Sequence, residues 1–202
     1  TMHQGEHWAI LGPNGSGKST LLSLITGDNM QAYANDIRLF GKKKGSGGSV
    51  WEIKKRIGYV SASLQINYLK HVTAFEVVLS GFYDSIGLYK KPTTEQKVKA
   101  EKILTQFRLT KLSERNFYHL SYGQKRMILL ARAMVKSPVL LILDEPCHGL
   151  DIANRQMILK MVEIIGTTTS TSLLYVTHHE MEILPCISQV LRLTKKQQLY
   201  SR

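Results

Sequence analysis

The hydrophobic and polar positions of the first 61 residues predict short strands and one intervening helix. Three segments have the pattern of strands. Residues 8–11 and 57–61 are apolar runs, and residues 36–40 alternate between apolar and polar side chains. Residues 20–25 predict a helix that ends at Gly27, since glycine is common where helices stop. Residues 41–49 carry three lysines and a glycine-rich run, so we expect a mobile basic loop before one helical turn at residues 51–56.

From residue 62 to residue 134 the pattern becomes mostly helical. A capping box at residues 73–76 precedes an apolar run that ends at Gly81. A long amphipathic helix is expected at residues 92–109, with four apolar side chains on one side: Val98, Ile103, Leu104 and Phe107.

The last third of the chain alternates again between helices and strands. Helices are predicted there at residues 127–136 and 152–165, and strands at residues 139–143 and 172–177. Residues 189–193 and 198–200 predict a closing hairpin around Lys195 and Lys196.

A glycine-rich loop lies between the first predicted strand and the first predicted helix. Residues 12–20 fit the phosphate-loop pattern G-x-x-x-x-G-K-[ST] in the context that it requires. The glycines let backbone N–H groups surround phosphates, and the helix N-terminus adds its positive end. We expect Lys18 to reach the β- and γ-phosphates of ATP and the Ser19 hydroxyl to bind Mg²⁺. The predicted nucleotide-binding residues are Gly12, Pro13, Asn14, Gly15, Ser16, Gly17, Lys18, Ser19 and Thr20.

Together these patterns predict an α/β fold with the core of a P-loop nucleoside triphosphatase. Residues 1–61 and 135–202 are expected to form a parallel sheet flanked by helices, with a helical subdomain inserted at residues 62–134. Because only eleven residues precede the phosphate loop, we also expect a further piece of the sheet upstream of residue 1.

An acidic pair follows the apolar run of residues 139–143. Asp144 and Glu145 thus lie at the carboxyl end of a predicted central parallel strand, where open α/β sheets bind ligands. We expect Asp144 to hold Mg²⁺ and Glu145 to polarise an attacking water as a general base. An acid pair that only caps the next loop is the alternative.

Three other positions suit the ends of helices or strands. Ser121 and Asp151 are placed as N-caps, and the helix N-terminus after Ser121 could face an anion. His178 follows a predicted strand and could hydrogen-bond a γ-phosphate, although a structural histidine is the alternative. Neighbouring side chains on a strand point to opposite faces, so we do not expect His178 and His179 to share a metal ion.

The composition narrows the class of protein. With 202 residues, 43% of them apolar, the chain can bury the core of one domain. No apolar stretch reaches the length of about 18 residues that a membrane span needs, and no signal peptide is evident. Two cysteines make no disulfide framework, so a reducing, cytosolic setting is expected.

The net charge of +12 leaves three interpretations open: a nucleic acid partner, an anionic membrane face, or a basic surface alone. Lys42, Lys43 and Lys44 are interpreted as a solvated turn, with a contact to phosphate or lipid as the alternative.

Several short motifs stand in a fixed order along the chain. After the phosphate loop come Leu-Ser-Tyr-Gly-Gln at residues 120–124, Leu-Leu-Ile-Leu-Asp-Glu-Pro at 140–146, Gly-Leu-Asp at 149–151 and Thr-His at 177–178. This set resembles the ATP-binding cassette (ABC) ATPases over nearly the whole chain. Residues 5–10, 21–28, 79–87 and 178–179 further resemble the ModF-type ATP-binding proteins, which are assigned to molybdate transport and usually carry two cassettes in one chain.

The resemblance implies a mechanism shared between two cassettes. In this family they pair head to tail, and each ATP lies between the phosphate loop of one cassette and the signature segment of the other. Carried over, the residues that serve one ATP are Lys18, Ser19, Asp144, Glu145 and His178, with Lys18, Glu145 and His178 catalytic. The residues implied to contact the partner's ATP are Ser121, Gly123 and Gln124, and Asp151 is implied to line the interface between the two sites.

Three departures from the family pattern bear on this interpretation. Ala62 stands where a glutamine usually contacts Mg²⁺ and the membrane partner, and Gln65 lies three residues on. Tyr122 stands in the signature where glycine is usual, so its side chain must be accommodated. The aromatic residue on which the family stacks adenine lies upstream of the phosphate loop, and the chain as given begins after that position.

Two classes of function remain. The first is the ATPase subunit of a membrane transporter for molybdate or a similar oxyanion, cytoplasmic and peripheral at the inner face of the membrane, with a docking groove at residues 62–91. The second is a soluble, non-transport ABC ATPase that acts on nucleic acid, ribosomes or regulation. The net charge of +12 and Ala62 favour the second class.

Overall fold

The fold is described from a computed structural model of the chain. It describes residues 1–27, 29, 35–44, 50–68 and 71–194. In chain order the strands are β1 (His7–Leu11), β2 (Arg38–Leu39), β3 (Lys42–Lys43), β4 (Ile57–Val60), β5 (Leu140–Asp144), β6 (Ser172–Thr177) and β7 (Gln189–Arg192). The helices are α1 (Lys18–Thr26), α2 (Val50–Arg56), α3 (Ala62–Asn67), α4 (Ala74–Ser80), α5 (Thr94–Gln106), α6 (Tyr122–Met134) and α7 (Ile152–Thr168).

The main sheet of the described residues is parallel throughout, in the order β4-β5-β6-β1-β7. Leu11 lies opposite Thr177, and Asp144 lies opposite Val176. The carboxyl ends of β1, β5 and β6 therefore meet at one edge of the sheet. The segments that follow these strands carry the phosphate loop, Glu145 and His178, so the register brings them together.

Apolar side chains cover both faces of the sheet. Leu141 and Leu143 belong to a large cluster with side chains of the helical segment such as Val78. Ile142, which alternates with them along β5, belongs to a smaller cluster with Leu22 of α1. Burying one such side chain contributes about 1.5–3 kcal/mol to folding. The parallel α/β core predicted from the sequence is confirmed.

Helices dominate the segment between β4 and β5. Helices α4 and α6 pack on each other, and their fully buried residues extend the large cluster without a break. Thr73 and Glu76 form the predicted capping box at the start of α4, and Gly81 ends that helix. The division into a core and an inserted subdomain at residues 62–134 stays a prediction.

Helix α5 differs from its prediction at both its apolar face and its end. It ends at Gln106, because Arg108 adopts a left-handed φ of 57° that a helix cannot continue. Leu104 and Phe107 are buried as expected, but Val98 is 56% exposed. Val98 lies two residues before the buried Ala100, which places it about 200° away around the helix.

The predicted basic loop of residues 41–49 is partly a hairpin. Lys42 and Lys43 pair with β2 as an antiparallel strand, which also shortens the strand predicted at residues 36–40. Both side chains are exposed, as a solvated face requires. Lys44 is buried, and its ammonium donates to Leu24 O at 2.7 Å and Ile25 O at 3.1 Å.

Lys44 therefore satisfies carbonyl groups at the C-terminal end of α1, where a positive charge is favourable. The solvated turn predicted for it is wrong. Residues 45–49 lie outside the described residues. Residues 195–202 also lie outside the described residues, and the second strand of the predicted closing hairpin falls among them. The first strand of that prediction is β7, which pairs in parallel with β1.

Candidate nucleotide-binding site

The phosphate loop takes a conformation that only its glycines permit. Gly15 and Gly17 have left-handed φ angles of 81° and 95°, and Gly17 forms the N-cap of α1 without a capping side chain. A Cβ atom on Gly12 would lie 2.6 Å from Ser16 Oγ and 2.7 Å from Leu193 O. The first N–H groups of α1 are thus left to an external acceptor such as a phosphate.

Lys18 holds its charge at the mouth of this loop. The residue is 5% exposed, and its ammonium donates to Gly12 O at 2.7 Å and to Pro13 O at 3.1 Å. The same Nζ lies 3.5 Å from Oε1 of Glu145. The loop carbonyls and one carboxylate therefore fix the ammonium beside the place where the loop can receive phosphates.

Glu145 stands in a strained backbone conformation at the end of β5. Its φ of 46° lies in the left-handed region, which costs a residue with a side chain roughly 1–3 kcal/mol. Its N–H donates to Val176 O at 2.9 Å, which fixes this turn to the neighbouring strand. Its Oε1 lies 3.3 Å from Nδ1 of His178. Lys18, Glu145 and His178 thus converge from the ends of three different strands.

Asp144 is half-buried beside them. The hydroxyl of Tyr59 donates to Asp144 Oδ2 at 3.2 Å. Burial raises the pKa of Asp144 above its usual value, and the negative charge of Glu145 adds to the rise. The hydrogen bond from Tyr59 and the nearby charge of Lys18 oppose it.

The donor set suits Mg²⁺ held together with nucleotide phosphates. Ser19 and Asp144 line the same cavity and offer a hydroxyl and a carboxylate oxygen. Among the described residues, no group of three or more His, Cys, Asp or Glu side chains could hold a metal ion by itself. Mg²⁺ commonly binds one or two protein oxygens and completes its shell with phosphates and waters, so the fit is to a nucleotide complex.

A cavity of about 540 Å³ opens over these groups, a volume in the range of small-molecule sites. It is lined by Asn14, Gly15, Gly17, Lys18, Ser19, Thr20, Ser61, Ala62, Ser63, Asp144, Glu145 and His148. Sequence reasoning missed His148, although its place in the loop directly after the acidic pair could have indicated it. Gly12, Pro13, Ser16 and His178 adjoin the lining residues without lining the cavity themselves: Lys18 donates to the Gly12 and Pro13 carbonyls, and His178 contacts Glu145.

The signature segment lies outside this cavity. Ser121 caps α6 through a reciprocal capping box: its Oγ accepts from Gln124 N at 3.2 Å, and Gln124 Oε1 accepts from Ser121 N at 3.0 Å. A Cβ on Gly123 would lie 2.3 Å from the Asn154 side chain, so α6 starts against the first turn of α7. Ser121 and Tyr122 are exposed, and no residue of the segment lines the cavity over its own phosphate loop.

Asp151 caps the neighbouring helix α7 as predicted. Its two carboxylate oxygens accept from Asn154 N at 2.8 Å and from Asn154 Nδ2 at 2.6 Å. Hydrogen bonds from the Asn154 backbone and side chain lower the pKa of Asp151. Asn154 therefore joins Asp151 to the signature segment as one exposed unit.

Gln65 does not take the place of the glutamine that is missing at residue 62. It is 6% exposed, and its Nε2 donates to Tyr122 O at 3.1 Å while its Oε1 accepts from Arg126 Nε at 2.9 Å. Arg126 also donates through NH2 to the Tyr122 hydroxyl at 3.0 Å. Gln65 thus ties α3 to α6, and Arg126 accommodates the tyrosine of the signature.

The two adjacent histidines depart from the expected geometry. The rings of His178 and His179 lie 3.9 Å apart, tilted by 43°, so they do not point to opposite faces. Both residues follow the last residue of β6, where strand alternation no longer applies.

A family model described as ABC transporter matches residues 1–148. The chain belongs to the ABC transporter family. The predicted family and the P-loop nucleoside triphosphatase fold are confirmed, and membership makes the chain an ATP-binding cassette ATPase.

Two relatives and one solved structure illustrate the likeness. The ABC transporter ATP-binding protein ModF of Escherichia coli is 46% identical over 98% of this chain, which spans 41% of that protein. The uncharacterized ABC transporter ATP-binding protein YlmA of Bacillus subtilis is 37% identical over 95% of the chain and 73% of its own length. The structure of an inward-facing putative metal-chelate type ABC transporter matches with a TM-score of 0.73, at 28% identity, over 96% of this chain and 70% of that one.

The chain thus spans less than half of the length of the E. coli relative. In the described part of the chain, no helix is both long and apolar enough to cross a bilayer.

Proposed function

We propose that the chain hydrolyses ATP in the cavity over the phosphate loop, jointly with a second cassette, and that this reaction energises a membrane transporter. The proposal rests on the meeting of three side chains at one edge of the sheet: Glu145 Oε1 lies 3.5 Å from Lys18 Nζ and 3.3 Å from His178 Nδ1. A cation, a base and an imidazole at that point are the groups that phosphoryl transfer to water needs.

The chain's own residues divide the chemistry. The N–H groups of the phosphate loop and Lys18 bind the β- and γ-phosphates and stabilise the charge that develops on them. Glu145 accepts a proton from water while the water oxygen bonds to the γ-phosphorus and the bond to the β-phosphate oxygen breaks. His178, 3.3 Å from Glu145, orients that carboxylate and hydrogen-bonds the γ-phosphate. Mg²⁺ held by Ser19 and Asp144 would supply further positive charge.

The second cassette supplies its signature segment to the ATP bound in this cavity. Ser121 is exposed, Gly123 faces Asn154 of α7, Gln124 bonds back to Ser121, and none of the three lines the cavity of its own chain. The N-terminus of α6 offers N–H groups to an anion, so we assign it to the ATP of the partner. Asp151, beside it on α7, then lies at the interface between the two sites. The partner is a second copy of the chain or another cassette of the same protein.

The membrane subunit and the cargo belong to the proposal as well. The segment at residues 62–91 exposes the large apolar side chains of Ile66 and Tyr89, 64% and 70% exposed, as a docking groove for a membrane subunit requires. The chain would then lie at the cytoplasmic face of the membrane. The cargo that the resemblance supports is molybdate or a similar oxyanion, and the metal-chelate type transporter makes a metal chelate the second candidate.

The alternative of a nucleic acid partner rests only on the net charge of +12 and on Ala62. The reported relatives are named for ABC transporters and give it no support.

Phosphate release from ATP tests the proposal directly. Glu145→Gln should lower turnover by at least about 100-fold, because removing a general base costs 10²–10⁴-fold. Lys18→Ala should abolish the binding of a fluorescent ATP analogue. Glu180→Gln is the matched control, since Glu180 is exposed and pairs with Arg192 on the surface. Near wild-type turnover of Glu145→Gln would exclude Glu145 as the base.

Co-purification from membranes tests the transport arm. Full-length protein should purify with an integral membrane protein, and substitution of Ile66 and Tyr89 together by Ser should release it while ATP binding persists. Recovery of the full-length protein without any membrane component would contradict this arm alone.

A further inference from the structure

A buried carboxylate lies behind the catalytic histidine. Glu182 ends a short 3₁₀ helix (Glu180–Glu182) after β6 and is 3% exposed. Its Oε2 accepts from Thr177 Oγ1 at 2.7 Å and from the Tyr175 hydroxyl at 3.3 Å. A buried charge costs free energy unless it is hydrogen-bonded and paired, so this position is not an ordinary surface glutamate.

Glu182 ties the backbone on both sides of His178, through its carboxylate on the Thr177 side and through its own backbone N–H on the His179 side. Thr177, the residue before it, is bonded to Glu182 and also accepts from His179 N at 3.1 Å. His179, the residue after it, accepts through its carbonyl oxygen from Glu182 N at 3.2 Å. His178 therefore sits in a turn whose two ends are tied to one glutamate. A shift of that glutamate would move the imidazole relative to Glu145, 3.3 Å away.

Two further contacts join Glu182 to the other loops of the site. The Tyr175 hydroxyl lies 3.5 Å from Cys147 Sγ, in the loop that carries Glu145. Burial raises the pKa of Tyr175 and raises that of Cys147 to about 11, so both groups are neutral and the phenol can donate to Glu182. Arg155 Nε lies 3.8 Å from Glu182 Oε1. The backbone N–H of Arg155 donates to Asp151 O at the start of α7.

Arg155 supplies the opposite charge for the buried carboxylate. Its Nε is buried and has no hydrogen-bond partner within the part of the chain that the structure describes, so the ion pair with Glu182 is its compensation. One carboxylate thus holds the turn of His178, the loop after β5 and the first turn of α7.

We propose that Glu182 is a positioning residue that holds His178 against Glu145 for attack on the γ-phosphate. This role deepens the proposed ATP hydrolysis and rests on it. Glu182 contacts neither nucleotide nor water in the reaction; it acts through Thr177, His179 and the imidazole between them.

The first test needs no nucleotide. The imidazole NMR signals of His178 in the whole chain are assigned by their loss in His178→Ala. Glu182→Gln, which keeps the shape and removes the charge, should shift these signals, whereas Glu180→Gln on the same 3₁₀ helix should leave them in place. Unchanged His178 signals in Glu182→Gln would overturn the proposal whether or not the chain hydrolyses ATP.

The second test separates positioning from general stability. Glu182→Gln should lower kcat for phosphate release about 10-fold with less than a twofold change of KM, as losses of orienting partners usually do. In a His178→Ala background the same change should have less than a twofold effect, because the group it positions is gone. Equal losses in both backgrounds would show that Glu182 acts without His178.

Thr177→Val serves where Glu182→Gln folds poorly. It removes the hydroxyl that links Glu182 to His179 N but keeps the side-chain volume, so it should reproduce both the shift of the His178 signals and the loss of kcat. If wild-type chain releases no phosphate, the proposed function fails while the NMR result still decides the position of His178.

Discussion

Gln65 provides a direct test of how the chain compensates for Ala62. If Gln65 is structural, Gln65→Ala removes one hydrogen bond to the Tyr122 carbonyl and one to the buried guanidinium of Arg126. A neutral hydrogen bond contributes about 0.5–1.5 kcal/mol and one to a charged group about 1.5–3 kcal/mol. The expected loss of unfolding free energy is therefore about 2–4 kcal/mol.

The loss should fall near the upper end of that range. Arg126 is fully buried, and its NH1 already lacks a hydrogen-bond partner. Without Gln65 its Nε would lose its partner too, which leaves the Tyr122 hydroxyl as the hydrogen-bond acceptor that the described residues still offer to the guanidinium. For a chain of this length, a loss of about 4 kcal/mol should lower the melting temperature by about 8–16 °C.

Urea unfolding followed by circular dichroism measures the effect. The matched control is Gln156→Ala on α7, an exposed helical position where the change should stay within about 0.5 kcal/mol. Binding of a fluorescent ATP analogue at low temperature should persist in Gln65→Ala, because Gln65 does not line the cavity. Unchanged stability together with lost nucleotide or Mg²⁺ affinity would show that Gln65 acts as the missing glutamine, and would refute this reasoning.

Three further predictions follow from the site. Ser121→Arg should abolish phosphate release but leave the binding of an ATP analogue intact, because the signature lies outside its own cavity; lost binding would contradict this. Gly12→Ala should weaken ATP-analogue binding at least about 10-fold, since its Cβ would press on Ser16 and the Leu193 carbonyl; retained affinity would show that the loop adapts. Asp144→Asn should raise the melting temperature of nucleotide-free chain at pH 7–8. The folded state raises the pKa of Asp144, so its ionised form destabilises the fold there, and the gain should disappear as pH falls below about 4; a loss of stability at pH 8 would contradict this sign.

The sequence predicted the parallel core because each element carried a local signal. The apolar run of β5 ends in Asp144, and the register of a parallel sheet brings every carboxyl end to one edge. The capping box at Thr73 and the N-cap at Ser121 were also visible as short patterns, and both form. Lys18, Ser19, Asp144 and Glu145 were found for this reason, and the structure brings them to one cavity.

Contacts between distant segments could not be predicted in the same way. Lys44 looked like part of a solvated lysine run, but a hairpin turns it toward the carbonyl groups that end α1. The sequence showed only that Gln65 lies three residues after Ala62, and the packing of α3 on α6 is what shows its partner Arg126. Val98 was predicted to lie on the apolar side of α5 with Ile103, Leu104 and Phe107, although the buried Ala100 shows that the buried face lies elsewhere.

The assembly of two cassettes is tested most directly by the mass of Glu145→Gln with and without ATP. Size-exclusion chromatography with light scattering should give a monomer of 22.9 kDa without nucleotide and twice that mass with ATP, because slow hydrolysis traps the closed pair. Glu145→Gln combined with Ser121→Arg should bind ATP and stay monomeric. A monomer at saturating ATP in Glu145→Gln alone would contradict pairing between two copies of this chain, and the partner would then be another cassette of the same protein.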